Sequence, residues 1–152
     1  MTRIGFPQIP TALMNCMMRT EDYISTLTIA DESFMALMRF QVSVINKCAY
    51  CIDMHFKEAA AAGETEVRLY SVLVWRETDF YSEAEQAMLH WAELITLLSG
   101  ASDQLQQAYD RLLEHFSQTE VANLTLAIVQ INSWNRLAKP FGFEPGSYQP
   151  GQ

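Results

Sequence analysis

Two cysteines and one histidine lie close together in the first half of the chain, within the run NKCAYCIDMH at residues 46–55. Cys48 and Cys51 are three residues apart, and His55 follows four residues after Cys51. Residues three and four apart share one face of a helix, so a helical run brings the thiols and the imidazole together. Such a set can perform thiol redox chemistry or supply part of a metal site.

The redox interpretation depends on where a helix begins. A thiol reacts as its thiolate, and the unpaired N–H groups of a helix N-terminus favour that negative charge. Asn46 fits the N-cap of a helix over 47–62 that ends at Gly63, which puts both cysteines in its first turn. One cysteine can then attack an oxidant or a disulfide while the other closes a disulfide with it. His55 can exchange protons with the Cys51 thiol.

Two other interpretations fit the same residues. The cysteine pair and His55 supply three zinc ligands, but a closed structural site needs a fourth. The remaining candidates, Cys16, His90 and His115, show no ligand spacing, so no metal is expected. Paired cysteines on an apolar face also occur as plain core residues. Cys16, which lies among methionines, is predicted to be such a core residue.

Composition excludes several classes of function. The chain has 152 residues, of which 49% are hydrophobic and 18% charged, as is typical of one globular domain. A formal charge of −8 argues against nucleic-acid binding, which needs clustered lysine and arginine. No apolar run approaches the roughly 20 residues of a membrane span, and the N-terminus lacks the apolar core of a signal peptide. We therefore expect a cytoplasmic protein, in which a close cysteine pair is more often catalytic or metal-binding than structural.

Helix signals dominate the sequence. Ser82 and Ser117 each begin a capping box with a glutamate three residues later. One segment is ambiguous, because residues 42–45 also fit a strand that leads into the cysteines. The prediction is an all-α single domain of six to seven helices, with a core over about 11–139 and a surface tail over 140–152. Caps included, the predicted helices cover 11–23, 31–44, 46–62, 65–75, 82–98, 102–115 and 117–139.

The residues around the cysteines resemble the carboxymuconolactone decarboxylase superfamily, in its alkylhydroperoxidase D-like branch. The resemblance is most specific at 46–55 and 75–78, and it extends through segments within 42–46, 61–70, 80–82, 91–97 and 131–137. It therefore spans most of the chain. It implies an all-helical fold, with helix rather than strand before the cysteines, that assembles into homotrimers or hexamers.

The resemblance also implies a function and residue roles. The implied activity is that of a thiol-dependent peroxidase or disulfide reductase in antioxidant defence. By position, Cys51 corresponds to the thiol that becomes sulfenic acid, Cys48 to its proton donor and disulfide partner, and His55 to the relay histidine. The Cys48–Cys51 disulfide is then the redox-active group, and no separate cofactor is implied. The implied partners are a hydroperoxide or disulfide substrate and an external dithiol reductant, with no nucleic acid and no membrane.

The sequence departs from the family at the proton relay. The usual glutamate twelve residues before the first cysteine is replaced by Ala36, which cannot accept a proton. Nearby, Gln41 replaces a usual basic residue and Lys47 a usual small one. General-base assistance contributes about 10²–10⁴-fold in rate, so its loss would slow the reaction without necessarily abolishing the thiol chemistry. Either the positive charge of Lys47 favours the thiolate, or the activity has changed, or another carboxylate serves as the base.

The substitute bases and the surroundings of the site can be ranked from the sequence. Glu93 follows Trp91 on a mostly apolar helix face and is the first candidate, ahead of Glu58 and Glu32. Lys47, Tyr50 and Trp75 are expected to line the site. A methionine stripe at helical spacing is expected to form core or an oligomer interface; it comprises Met14, Met17, Met18, Met35 and Met38.

Two rival functions stay open. The superfamily also contains lactone decarboxylases, which would use His55 or an acid to move protons at a carbon acid. The cysteine pair argues against this lyase, because decarboxylation needs no dithiol. The second rival is a redox-sensing or structural oligomer with weak catalysis, which Ala36 makes more credible.

Overall fold

The computed structural model describes residues 1–151, which form seven α-helices, two 3-10 helices and no β-strand. The predicted all-α fold is confirmed, and residues 42–45 are helical. The 3-10 helices cover Phe6–Gln8 and Val72–Glu77. The α-helices are α1 (Thr11–Ser25), α2 (Glu32–Ile45), α3 (Ala49–Ala61), α4 (Glu66–Ser71), α5 (Glu83–Leu97), α6 (Ser102–Leu113) and α7 (Gln118–Phe141).

Helix α2 lies at the centre of the fold and packs against α3, α5 and α7. Its side chains Leu37, Met38 and Val42 are fully buried, in one core with Leu89 of α5 and Ile128 of α7. Burying each such side chain stabilises the fold by about 1.5–3 kcal/mol. The apolar character of α2, which made its secondary structure ambiguous, therefore reflects contact with helices on several sides.

Helix α1 lies at the edge of the fold. It packs against α7, and Ile24 is its one buried residue. Cys16 is exposed, so its prediction as a core residue was wrong. The reason is that a helix packed mainly against one neighbour leaves most of its surface outside.

The junction between α2 and α3 differs from the prediction. Asn46 is the C-cap of α2 rather than the N-cap of α3, and Cys48 occupies that N-cap. Lys47 N–H donates to Val44 O (3.0 Å) and Cys48 N–H donates to Ser43 O (3.2 Å), which is the Schellman pattern. One residue, Cys48, thus ends the first motif and begins the next helix.

Lys47 occupies the position in this motif that glycine usually takes. Its φ is +53°, in the left-handed region that costs a residue with a Cβ about 1 kcal/mol. We expect Lys47→Gly to raise the free energy of unfolding by about that amount, and the melting temperature by about 3 °C. Urea titration of the oxidised protein measures the change.

Lys47→Ala is the matched control, because it also removes the exposed amine but keeps the Cβ. It should show no gain. Equal stability of the glycine and alanine variants would contradict a strained backbone at this position.

The other helix ends agree with the capping signals in part. Ser82 and Ser117 form the predicted capping boxes. Helix α6 has Ala101 rather than Ser102 at its N-cap, because the Gln104 side chain accepts the Ala101 N–H at 2.9 Å. The single helix predicted over 65–75 divides into α4 and a 3-10 turn, with non-helical backbone at Val74.

Helix α7 continues through Pro140, where the sequence predicted its end. Proline removes one N–H donor, and in the last turn this costs a single hydrogen bond. Gly142 ends the helix at φ +77°, and a Cβ there would lie 2.7 Å from Met1 O. The carbonyls of the last turn accept from Arg3, whose side chain bonds Pro140 O and whose backbone N–H bonds Phe141 O. The N-terminal segment therefore lies against the end of α7.

Within residues 1–151, no helix combines the length and the apolar character needed to cross a membrane.

Candidate active site

Helix α3 brings the candidate catalytic residues together. Cys51, His55 and Glu58 follow one another at spacings of four and three residues, so they share one face of the helix. Cys48, at the N-cap, forms a disulfide with Cys51, and their Cα atoms are 5.3 Å apart. The pair thus lies at the N-terminal end of α3, where the helix dipole favours an anion.

Both cysteines are buried. Cys48 is 1% exposed and Cys51 is 2% exposed. They pack with Ala138 of α7 and under the rings of Tyr50 and Phe143. The two rings meet edge to face, with centroids 5.4 Å apart. Both cysteines are therefore almost completely shielded from solvent.

A carboxylate orients the histidine. The Nδ1 atom of His55 lies 2.7 Å from Oε2 of Glu58, and the histidine is 4% exposed. The second oxygen of Glu58, Oε1, accepts a hydrogen bond from the Tyr148 hydroxyl at 2.6 Å. The Nε2 atom of His55 is buried and has no hydrogen-bond partner within residues 1–151. This leaves one ring nitrogen fixed by Glu58 and the other available to a reacting group.

The surroundings keep Glu58 ionised and Tyr148 protonated. Burial raises the pKa of Glu58, but hydrogen bonds from His55 and Tyr148, with the charge of Arg39, outweigh it and bring the pKa below its ordinary value. Burial, the hydrogen bond to Glu58 and the negative charge of Glu58 raise the pKa of Tyr148 to about 12. Burial and the charges of Glu58 and Asp53 likewise raise the pKa of Tyr50. Near neutral pH, Glu58 is thus an acceptor and Tyr148 a donor.

A cavity of about 420 Å³ opens beside these residues. Cys51 and His55 both line it, which puts the thiol and the imidazole against the same space. Glu21 is held by the indole N–H of Trp134 at 2.5 Å, and Arg39 pairs with Glu32 at 3.0 Å. Most of the wall is apolar, from Phe6, Met14, Met18, Tyr50, Met54, Ile131, Trp134, Ala138 and Phe143, while the polar lining comes from Glu21, Arg39, His55 and Glu58.

The three carboxylates predicted as possible substitutes for the usual relay glutamate lie at different distances from His55. Glu58 contacts His55 directly. Glu93, which the sequence ranked first, pairs instead with Arg76 at 2.8 Å and does not line the cavity. Glu32 is 71% exposed and reaches the site only through its pair with Arg39. Ranking Glu93 first was therefore wrong on position, because its helix, α5, directs it to another part of the molecule.

Of the three residues predicted to line the site, one lies at the cavity and two lie elsewhere. Tyr50 lines the cavity. Trp75 is a buried core residue with Arg76 over its ring at 4.1 Å, so its expected place at the site was wrong. Lys47 is exposed and does not line the cavity either. Ala36 is buried in the core at 1% exposure.

Several functional candidates were missed from the sequence. Tyr148 and Phe143 belong to the segment predicted as a surface tail, yet both reach the site. The spacing of three residues between His55 and Glu58 was a usable signal, since such residues meet on a helix. Asn46 was misplaced as an N-cap, and its amide instead donates to Asn132 (2.9 Å) and Asn135 (2.8 Å) of α7. These bonds fix the turn before Cys48 to the far helix.

The segment that carries the candidate site matches a known protein family. Residues 25–94, which include the cysteines and the histidine, match the carboxymuconolactone decarboxylase family. The uncharacterized protein YdfG of Bacillus subtilis (strain 168) is 39% identical over 142 residues, covering 92% of this chain and 94% of its own. The chain belongs to the carboxymuconolactone decarboxylase family.

Two solved structures extend the comparison for this family member. ATU0492 of Agrobacterium tumefaciens, a protein of unknown function that has been proposed as an antioxidant defence protein AhpD, is 32% identical with a TM-score of 0.88. The match covers 97% of this chain and 100% of that one. The debrominase Bmp8 is 17% identical with a TM-score of 0.75, over 90% of this chain and 72% of its own, so it shares the fold. The predicted family and its all-helical fold are confirmed.

Proposed function

We propose that this protein is a thiol-dependent peroxidase of the alkylhydroperoxidase type, which removes organic hydroperoxides. The supporting observation is that Cys51, disulfide-bonded to Cys48, and His55 line one cavity, with His55 held by Glu58. Glu58 takes the part of the relay carboxylate that Ala36 cannot supply. The base has thus moved from α2 to α3, three residues after the histidine it serves.

The first chemical step is reduction of the hydroperoxide. In the reduced protein, Nε2 of His55 accepts the proton of the Cys51 thiol, and Glu58 stabilises the resulting imidazolium through Nδ1–H. The Cys51 thiolate attacks the terminal oxygen of the hydroperoxide, and the O–O bond breaks. The imidazolium returns its proton to the departing alkoxide, so an alcohol leaves and Cys51 becomes a sulfenic acid.

The second step closes the disulfide. The Cys48 thiolate attacks the Cys51 sulfur, and the sulfenic oxygen leaves as water after it takes up a proton. The product is the Cys48–Cys51 disulfide, the form that the structure contains. Two electrons and two protons from an external dithiol then restore both thiols, and that dithiol becomes a disulfide.

The cavity favours a particular kind of peroxide. A volume of about 420 Å³ is within the usual range of small-molecule sites, and its wall is largely apolar. Its two acids, Glu21 and Glu58, outnumber the single cation Arg39, which disfavours an anionic ligand. Burial of both sulfurs favours a small hydroperoxide over the disulfide of a protein partner. We therefore expect a neutral organic hydroperoxide as the substrate.

The test is turnover of cumene hydroperoxide with dithiothreitol as the reductant. The protein should consume the peroxide catalytically, with kcat/KM about tenfold higher than for hydrogen peroxide, because the apolar wall contacts the cumyl group. Heat-denatured protein and dithiothreitol alone provide the background rate. Consumption no faster than this background would refute the proposal.

A further inference from the structure

We propose that Tyr148 is a positioning residue for the peroxidase site, acting through Glu58 on the imidazole of His55. The effect of Tyr148 on turnover rests on the proposed function, whereas its positioning of Glu58 and His55 rests on the hydrogen-bond geometry. Tyr148 does not line the cavity, so its effect must pass through the carboxylate that it contacts.

The segment that carries Tyr148 is anchored along α3. Asp53 accepts the backbone N–H of Gly146 at 2.9 Å. Lys57 donates to the carbonyls of Gly146 (3.3 Å) and Tyr148 (3.0 Å) and to Asp53 itself (3.0 Å). Asp53 and Lys57, one turn apart, thus hold the backbone on both sides of Ser147. Gly146 allows the chain to turn here, since its φ of +108° is open to glycine.

The anchored backbone places the Tyr148 hydroxyl at a carboxylate that already serves His55. With Oε1 bonded to Tyr148 and Oε2 to His55, both oxygens of Glu58 are engaged. A carboxylate whose two oxygens are both hydrogen-bonded is fixed in one orientation, and in that orientation Oε2 faces Nδ1 of His55 as an acceptor. His55 Nδ1 is then the protonated nitrogen, and Nε2 keeps its lone pair for the Cys51 proton.

Loss of the hydroxyl has two separable consequences. Glu58 loses one of the hydrogen bonds that lower its pKa, so the pKa of Glu58 should rise. Glu58 also becomes free to rotate away from Nδ1, so the neutral imidazole should become a mixture of its two tautomers. Both effects concern the site itself and would be measurable in a protein without turnover.

The decisive variant is Tyr148→Phe, which retains the ring and the backbone bond to Lys57. Tyr70→Phe is the matched control, since it removes the same atom from a tyrosine that is 74% exposed. Three quantities are compared in both variants and the wild type. They are the pH titration of the Glu58 carboxyl carbon by NMR, the nitrogen chemical shifts of His55 at alkaline pH, and kcat/KM for cumene hydroperoxide.

We expect Tyr148→Phe to raise the pKa of Glu58, to mix the tautomers of His55 and to lower kcat/KM about tenfold, the scale of losing a hydrogen bond to a charged group. Tyr70→Phe should change none of these. An unchanged carboxyl titration and an unchanged tautomer in Tyr148→Phe would overturn the inference, whatever the rate. Altered spectra with an unchanged kcat/KM would overturn the role in turnover.

This design separates the inference from the proposed function. If the wild type shows no peroxidase activity while Tyr148→Phe alters both spectra, the proposed function fails and the positioning of His55 by Tyr148 stands. If the wild type turns over and the spectra are unaffected, the proposed function stands and the inference fails.

Discussion

Replacing Cys51 by serine is expected to reduce hydroperoxide turnover to the uncatalysed background, a loss of at least about 10³-fold. Cys51 is the cysteine that lines the cavity with His55, and a serine hydroxyl does not ionise near neutral pH. Steady-state consumption of cumene hydroperoxide with dithiothreitol measures the loss. The variant should keep its helical circular dichroism spectrum, because serine replaces sulfur with a smaller atom at a single position.

Cys16→Ser provides the matched control. The substitution is the same, but Cys16 is exposed and unpaired in the structure and lies on α1. Its turnover should equal that of the wild type. If Cys16→Ser lost activity and Cys51→Ser retained it, the assignment of the reactive thiol would be wrong.

Replacing Glu58 by glutamine is expected to lower kcat/KM about 10²-fold, at the lower end of what general-base assistance contributes. Glutamine has nearly the same shape but cannot stabilise the imidazolium that the proposed mechanism forms when His55 takes the Cys51 proton. Its NH₂ group can also donate to Nδ1, which favours the tautomer with the proton on Nε2. The pH profile of kcat/KM should change as well.

The direction of that pH effect follows from the shift of the pKa. Because the pKa of Glu58 lies below its ordinary value, the carboxylate is charged near neutral pH and becomes protonated only in acid. Protonation of Glu58 should therefore reduce wild-type kcat/KM at a lower pH than an ordinary glutamate would, and Glu58→Gln should lack this decrease.

Glu93→Gln is the matched control for Glu58. It makes the same chemical change in a carboxylate that pairs with Arg76 rather than His55. It should leave kcat/KM unchanged. Equal losses in the two variants, or a loss confined to Glu93→Gln, would contradict the assignment of Glu58 as the relay carboxylate.

Glu58 and Glu93 differ in whether the partner of the carboxylate could be predicted from the sequence. Glu58 and His55 are three residues apart on one helix, so their contact is a local property that spacing predicts. The direction in which Glu93 points depends on how α5 packs against its neighbours. The apolar helix face around Glu93 in the sequence did not indicate which partner this side chain would meet, and that partner is the exposed Arg76.

The helix content was predictable for the same local reason. The capping boxes at Ser82 and Ser117 depend on residues three apart, and both are present. The junction at Asn46 was misjudged because Lys47 takes a left-handed conformation that glycine ordinarily takes. Without that turn, Asn46 is a reasonable N-cap; with it, the start of α3 moves to Cys48.

The contribution of the C-terminal segment lay beyond local patterns altogether. Tyr148 meets Glu58 across 90 positions of chain, and its surroundings of glycine and proline are typical of an exposed tail. The contact depends on hydrogen bonds to two backbone groups. Asp53 accepts the N–H of Gly146, and Lys57 donates to the carbonyl of Tyr148. Backbone groups occur at every position, so no side-chain pattern marks which of them will be used.

The most direct test of the central claim is to identify the sulfur that meets the peroxide. Reduced Cys48→Ser protein, treated with one equivalent of cumene hydroperoxide in the presence of dimedone, should carry the dimedone adduct on Cys51, as read by peptide mass spectrometry. One equivalent of cumyl alcohol should form for each adduct. An adduct confined to the exposed Cys16, or alcohol formed with no adduct on Cys51, would contradict the account.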